Sequence, residues 1–138
     1  MTAGPGPGTV HTQAIASDED VVRVRQLVRT VAVAARLSLV DQTKLVTAAS
    51  ELARNAVIYG KGGVVRWEKL TDGARRGLRL QFIDEGPGIP DLQQAMTDGW
   101  TSGSGLGLGL SGARRLVNEF DIDTVVGGGT RVTVARWK

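Results

Sequence analysis

The sequence LRLQFIDEGPGIP, residues 78–90, begins as a strand with one apolar side and ends with an acidic residue on that same side. Side chains alternate along an extended chain. One face therefore carries Leu78, Leu80 and Phe82. The same alternation places Asp84 on that apolar face, directly before Gly86, Pro87 and Gly88. The segment predicts a core strand that delivers a carboxylate to the end of a sheet, followed by a loop of unusual backbone geometry.

Two explanations of an inward Asp84 remain open from this segment alone. A buried carboxylate costs several kcal/mol unless it is paired, so Asp84 needs hydrogen-bond donors. The donor could belong to a buried ligand, such as the amino group of adenine. It could equally be a backbone N–H of the loop over residues 85–90.

The length and composition predict one soluble domain. The chain has 138 residues, a typical single-domain size, and it contains no cysteine, which excludes disulfides and thiolate chemistry. A net charge of +3 and few aromatic residues make a nucleic-acid partner a poor fit. No segment approaches the ~20 apolar residues that a bilayer requires. We therefore expect a cytoplasmic domain without a nucleic-acid or membrane partner.

The first half of the chain predicts two helices. Residues 1–8 are rich in Gly and Pro and predict a disordered tail, so the domain is expected to span residues 9–138. A short extended piece is expected at residues 10–16, followed by an amphipathic helix that ends near Leu37. Asp41 is placed to cap a second helix, which the sequence GKGG ends.

The second half predicts mainly strands. The sequence VVRWEKL should pair with the opening strand across a long loop at residues 71–77. A short helix is expected at 91–98 and a helical segment at 113–120, and a final hairpin is expected from DTVVG and TRVTVARW. The predicted fold class is α+β, a two-layer sandwich with a mostly antiparallel sheet covered by helices.

Two further patterns suggest chemistry. A glycine-rich loop precedes the late helix, with glycines at positions 103, 105, 107 and 109. Such a loop either cradles phosphates with its backbone amides or is a flexible connector, and it matches neither the P-loop nor the Rossmann pattern. Glu51 and Asn55 are four residues apart on the second helix and share one face. They can hold a hydrated Mg²⁺ ion, or orient and deprotonate a hydroxyl, or they are simply solvated residues at the helix edge.

Taken in their order along the chain, these patterns resemble those of a known family. Glu51-x3-Asn55, Asp84-x-Gly-x-Gly, the glycine-rich loop and Gly129-Thr130 follow one another within one short domain. This resembles the GHKL ATPase superfamily of gyrase-type topoisomerases, histidine kinases, the ninety-kilodalton chaperone and MutL, whose ATP site has the Bergerat fold. The sequences AASELARNAVIYGKGG, DEGPGIPD and DGWTSGSGLGLGLSGARRLVNEF are similar to the anti-sigma-type serine/threonine kinases, and in particular to the switch kinases of bacterial stressosomes.

The resemblance implies ATP and Mg²⁺ as cofactors and a role for each matching residue. Glu51 matches the general base, Asn55 the Mg²⁺-binding asparagine, and Asp84 the acceptor of the adenine amino group. Gly86 and Gly88 would let the backbone approach the ring, and Thr130 would lie near adenine. The phosphate loop would comprise Gly103, Ser104, Gly105, Leu106, Gly107, Leu108 and Gly109.

The resemblance also implies partners. Kinases of this group phosphorylate a serine on a STAS-domain antagonist protein, and the freed kinase can then bind a PP2C-type phosphatase. The alternative is a nucleotide-binding module that binds a sigma factor or activates a phosphatase with little kinase activity. A histidine kinase fits poorly, because the lone histidine, His11, is expected in or beside the flexible tail.

Overall fold

The computed structural model describes residues 10–59, 61–89, 96 and 109–138. Its elements in chain order are β1 His11–Ile15, α1 Asp18–Ala34, α2 Leu39–Ile58, β2 Gly63–Asp72, β3 Arg75–Asp84, α3 Gly109–Arg115, β4 Glu119–Val125 and β5 Gly129–Trp137. The predicted tail at 1–8, the short helix at 91–98 and the loop residues 103–108 lie outside the described residues.

The described strands form one sheet in the order β1-β2-β3-β5-β4, and each neighbouring pair is antiparallel. Helices α1 and α2 pack against each other and against the sheet, and α3 packs against α2. The predicted α+β class, an antiparallel sheet covered by helices, is confirmed. Strand β5 lies between β4 and β3, so the end of β3 and the start of β5 meet at one end of the sheet.

The core lies between the helices and one face of the sheet. Helix α1 contributes a stripe at helical spacing, formed by Val21, Val24, Val28 and Ala32. The sheet contributes alternate residues of its central strands, Val65, Leu78, Leu80, Phe82, Val132 and Val134. Burying one such large side chain is worth about 1.5–3 kcal/mol. The interior face of α2 contains many alanines, which let this helix lie close to its neighbours.

The cap of α2 differs from the prediction. Ser38, not Asp41, is the N-cap, and its Oγ accepts from the Asp41 N–H at 3.1 Å. The Asp41 carboxylate instead accepts from Arg136 Nε at 3.0 Å and Nη2 at 2.6 Å. These bonds hold the pKa of Asp41 below its usual range. Helix α1 also ends earlier than predicted, at Ala34, because Arg36 has a φ of 63°.

The β2–β3 connection is shorter than predicted. Asp72 pairs with Arg75, so the loop consists of two residues, Gly73 and Ala74. Gly73 has a φ of 60°, which fits the first central position of a type II′ turn. A two-residue turn replaces the expected long loop because ladder pairing continues almost to its tip.

The late helix is also corrected. Helix α3 begins at Gly109 and ends at Arg115, whereas the sequence predicted a helix over 113–120. Asn118 ends the helical path by joining β5. Its N–H donates to Ala135 O at 2.9 Å, and its Oδ1 accepts from the Trp137 N–H at 2.7 Å. Pairing with β5 therefore outweighs the helical pattern that suggested a longer helix.

The expected extended piece at residues 10–16 is confirmed as β1. Its first residue, His11, stacks on Trp67 with ring centroids 5.4 Å apart. His11 was expected in or beside the flexible tail, and the structure places it at the start of β1 with its ring packed on the sheet.

Candidate functional site

A row of polar side chains crosses one end of the sheet. Asp84 of β3 lies opposite Thr130 of β5, and Thr130 lies opposite Thr124 of β4. The next row on the same face is apolar, since Phe82 pairs with Val132 and is 3% exposed. Strand alternation thus directs Asp84 to the helix-covered face, as the sequence predicted. Asp84 is half-buried there.

One oxygen of the Asp84 carboxylate is already bonded. Oδ1 accepts from the Gly86 N–H at 2.9 Å, so the loop-amide explanation holds for half of the group. Within the described part of the chain, Oδ2 accepts no hydrogen bond. This oxygen can therefore serve a donor on a ligand without breaking the turn.

The loop after β3 rests on the β4–β5 turn. Gly88 has a φ of 77°, and a Cβ added there would collide with Val125 O. The Gly127 N–H donates to Pro87 O at 2.8 Å. The glycine at position 88 is thus required for this backbone contact, a role that the sequence did not predict.

Thr130 has a hydroxyl neighbour that sequence reasoning missed. Its Oγ1 lies 2.9 Å from Thr124 Oγ1, and Thr124 Oγ1 also accepts from the Ile89 N–H at 2.9 Å. The signal available in the sequence was the hairpin itself. Register across a short turn would have placed Thr124 opposite Thr130.

Glu51 is buried, with 6% of its surface exposed. Its Oε1 accepts from the Gly109 N–H at 3.1 Å, which joins α2 to the first residue of α3. Its Oε2 lies 3.4 Å from Arg54 Nη1. The interpretation of Glu51 as a solvated helix-edge residue is therefore wrong. Arg54 was missed, although its position three residues after Glu51 on a helix places the two side chains together.

Asn55 lies one turn beyond Glu51 and is half-buried. No group of three or more His, Cys, Asp or Glu side chains in the described ranges could hold a metal ion. Mg²⁺ usually keeps several waters and is bound through one or two protein oxygens together with substrate phosphates. The single amide oxygen of Asn55 fits an ion of that kind only when a nucleotide accompanies it.

The structure thus gathers the described candidates into two groups. Glu51 and Gly109 are hydrogen-bonded to each other, and Asp84, Gly86 and Thr130 lie together at the end of the sheet. Asn55 lies on the same helix as Glu51.

In the described part of the chain, no helix is long and apolar enough to cross a membrane.

Comparison with known proteins identifies the class. Residues 40–138 match the family model for histidine kinase-, DNA gyrase B- and HSP90-like ATPases, and the chain belongs to this family. ATP is the nucleotide that this membership implies. The solved structures agree with the fold. The structural alignment with the catalytic domain of the histidine kinase ThkA covers 91% of this chain and 95% of the ThkA chain, with a TM-score of 0.51 and 14% identity.

More specific similarities point to kinases and anti-sigma factors. The serine/threonine-protein kinase RsbT of Bacillus subtilis is 42% identical over 123 residues, which is 89% of this chain and 92% of RsbT. An anti-sigma F factor of Clostridium beijerinckii is 30% identical over 77% of this chain and 81% of its own length. The crystal structure of the RsbU and RsbW domains of Rv1364c from Mycobacterium tuberculosis covers 94% of this chain, with 26% identity and a TM-score of 0.67. This chain spans 32% of that protein.

These similarities confirm the predicted resemblance to the GHKL superfamily and to the RsbT-type switch kinases. They also confirm the expected enzyme class, a protein serine/threonine kinase. The roles given to Glu51, Asn55, Asp84 and Thr130 remain predictions.

Proposed function

We propose that this protein is an ATP-dependent kinase that phosphorylates a serine on a STAS-domain antagonist protein in a partner-switching pathway. The observation that carries the proposal is the buried Glu51 carboxylate, bonded to the N–H of Gly109 where the glycine-rich sequence enters α3. A carboxylate held at that point is suited to act as a base beside a nucleotide phosphate. The 42% identity to a serine/threonine-protein kinase supports this choice.

Each candidate residue has a separate role in the proposed reaction. Asp84 Oδ2 accepts from the amino group of adenine, while Oδ1 stays on Gly86. Asn55 holds Mg²⁺, which when bound neutralises charge on the phosphates. The substrate serine oxygen attacks the γ-phosphorus, the bond to the oxygen bridging the β- and γ-phosphorus atoms breaks, and Glu51 takes the serine proton. Positioning and charge neutralisation supply most of the catalysis in such transfers, so few side chains are needed.

Of the two Glu51 oxygens, we assign Oε2 as the proton acceptor. The Gly109 N–H bond to Oε1 is the shorter contact, whereas the Arg54 contact to Oε2 is long and this arginine side chain is 39% exposed. The Arg54 guanidinium is the more easily displaced of the two partners, because its side chain is partly exposed and can stay hydrated as it moves, whereas the Gly109 N–H is fixed in the backbone.

Incubation with γ-labelled ATP, Mg²⁺ and a purified STAS-domain antagonist tests the proposal. The wild-type chain should transfer label to serine. Glu51→Gln keeps an acceptor for Gly109 but loses the base, so transfer should fall about 10²–10⁴-fold while ADP binding is retained. Glu19→Gln, an exposed change in α1, is the matched control and should transfer normally. Transfer by Glu51→Gln at the wild-type rate would show that Glu51 is not the base.

The similarity to anti-sigma F factors supports a second candidate, a nucleotide-binding module that sequesters a sigma factor. The same assay separates the two functions. A chain that binds ADP and a sigma factor, yet transfers no label to any STAS-domain antagonist, would favour the binding module.

A further inference from the structure

The hydroxyl of Thr124 lies at the centre of three contacts beside the proposed adenine site. Its Oγ1 is 2.9 Å from Ile89 N, 3.3 Å from Gly129 O and 2.9 Å from Thr130 Oγ1. The loop after β3, the start of β5 and the Thr130 side chain are therefore all joined through one oxygen.

The donor and acceptor capacities of the partners limit how the protons can be shared. The Ile89 N–H can only donate, so Thr124 accepts from it. The Gly129 carbonyl can only accept, so its contact with Thr124 is a hydrogen bond only when the Thr124 hydroxyl donates its single proton to it. The contact with Thr130 is then a hydrogen bond only if Thr130 donates. The arrangement that makes all three contacts hydrogen bonds turns the Thr130 proton toward Thr124 and leaves Thr130 lone pairs for other partners.

We infer that Thr124 is a positioning residue that keeps the Thr130 hydroxyl an acceptor and thereby favours a purine with an amino group at C6 over one with an oxo group. This inference rests on the proposed nucleotide site. Asp84, directly opposite Thr130 on β3, is an acceptor as well when ionised. Two adjacent acceptors suit an amino group, whereas an oxo group would direct its own lone pairs against them.

Calorimetric titration of the purified protein with ADP and with inosine diphosphate, in the presence of Mg²⁺, tests the inference. The two nucleotides differ in the C6 amino and oxo groups. We expect the wild type to prefer ADP. Thr124→Val keeps the side-chain shape but frees the Thr130 proton to rotate toward an oxo group, so the preference for ADP should fall about three- to tenfold. Thr124→Ser keeps the hydroxyl and should retain the wild-type preference.

A double-mutant cycle separates positioning from general loosening of the loop. If Thr124 acts through Thr130, then Thr124→Val should not alter the preference in a Thr130→Val background. An unchanged preference in Thr124→Val, or an equal further loss in the double variant, would overturn the inference. Thermal unfolding confirms that each variant is folded, and Thr124→Ala replaces the valine variant if that variant does not fold.

The wild-type titration distinguishes the failure of this inference from the failure of the proposed function. A wild-type chain that binds neither nucleotide would overturn both. A wild-type chain that clearly prefers ADP, with Thr124→Val showing the same preference, would overturn the role of Thr124 alone.

Discussion

Substitution of Gly129 by alanine should damage the end of the sheet far more than the same substitution two residues earlier. Gly129 begins β5 with a φ of 96°, and an added Cβ would collide with Asp84 O and lie 2.9 Å from Glu85 Cα. Gly127, in the adjoining turn, has a φ of 79° but nothing within 4 Å of an added Cβ. Both variants therefore place an alanine at a positive φ, which is strained, but only Gly129→Ala also pushes β5 away from β3.

The expected magnitudes follow from these two terms. A side chain in the left-handed region costs about 1–2 kcal/mol, which should be the whole effect of Gly127→Ala. Overpacking that forces a backbone shift adds about 1–3 kcal/mol, so Gly129→Ala should lose about 2–5 kcal/mol. Domains are stable by only about 5–15 kcal/mol, so this loss is a large fraction of the total.

Urea unfolding followed by tryptophan fluorescence measures the difference. For an m-value of about 2 kcal/mol per molar, Gly129→Ala should lower the midpoint by about 1–2.5 M and Gly127→Ala by about 0.5–1 M. ADP binding should weaken in Gly129→Ala under conditions where it is still folded, because the displaced backbone is that of Asp84. Midpoints for the two variants within about 0.5 M of each other would refute the close approach of β5 to Asp84.

Two further predictions concern the start of α2. Ser38→Ala should lower the free energy of unfolding by about 1 kcal/mol, whereas Ser17→Ala, at a cap whose side chain makes no cap bond, should cost less; urea unfolding of both variants compares them. Asp41→Asn should cost about 1 kcal/mol at pH 7, because Arg136 lowers the pKa of Asp41 in the folded state. That difference should be present above the unfolded-state pKa of about 3.9 and vanish as the pH falls through the lower folded-state pKa, which parallel unfolding curves from pH 7 to pH 2 would show.

The sequence predicted the class of the fold because its strongest signals are local. Alternation in β3 and the three-and-four spacing in α1 need only neighbouring residues, and both are confirmed. The predicted helix end and helix cap were wrong where contacts between residues far apart in the sequence determine the local structure. Asn118 leaves the helical path because it pairs with β5, and Asp41 is drawn from capping to Arg136, 95 positions away.

The candidate site shows the same division. The residue types and their order were legible, so Glu51 and Asp84 could be singled out and matched to a family. Burial could not be read, and the helix-edge position of Glu51 suggested exposure until its contact with Gly109 was known. Thr124 and Arg54 were not predicted as site residues. Their proximity to the site depends on the strand register, which places Thr124 beside Thr130, and on the helix geometry, which places Arg54 beside Glu51.

Substitution of Asp84 can distinguish the two explanations of its inward position, a donor on a bound ligand or a backbone N–H of the following loop. Asparagine at this position keeps an oxygen for the Gly86 N–H but lacks the charge and can present an N–H₂ group where Oδ2 now lies. If the carboxylate serves a nucleotide, Asp84→Asn should weaken ADP binding at least tenfold while changing the free energy of unfolding by less than about 1 kcal/mol. Asp72→Asn, an exposed change at the β2–β3 turn, is the control and should leave both unchanged.

The opposite pattern would assign Asp84 to the loop. A carboxylate whose main work is to hold the turn would, when replaced, reduce stability by more than about 1 kcal/mol and reduce ADP affinity only in proportion to the unfolded fraction. Calorimetry and urea unfolding on the same preparations decide between these outcomes. The Asp84 bond to the Gly86 N–H uses one oxygen, and asparagine can keep that bond, so the substitution should leave the turn intact while it removes the second carboxylate oxygen as an acceptor for a ligand. For that reason we expect the loss of binding, not the loss of stability.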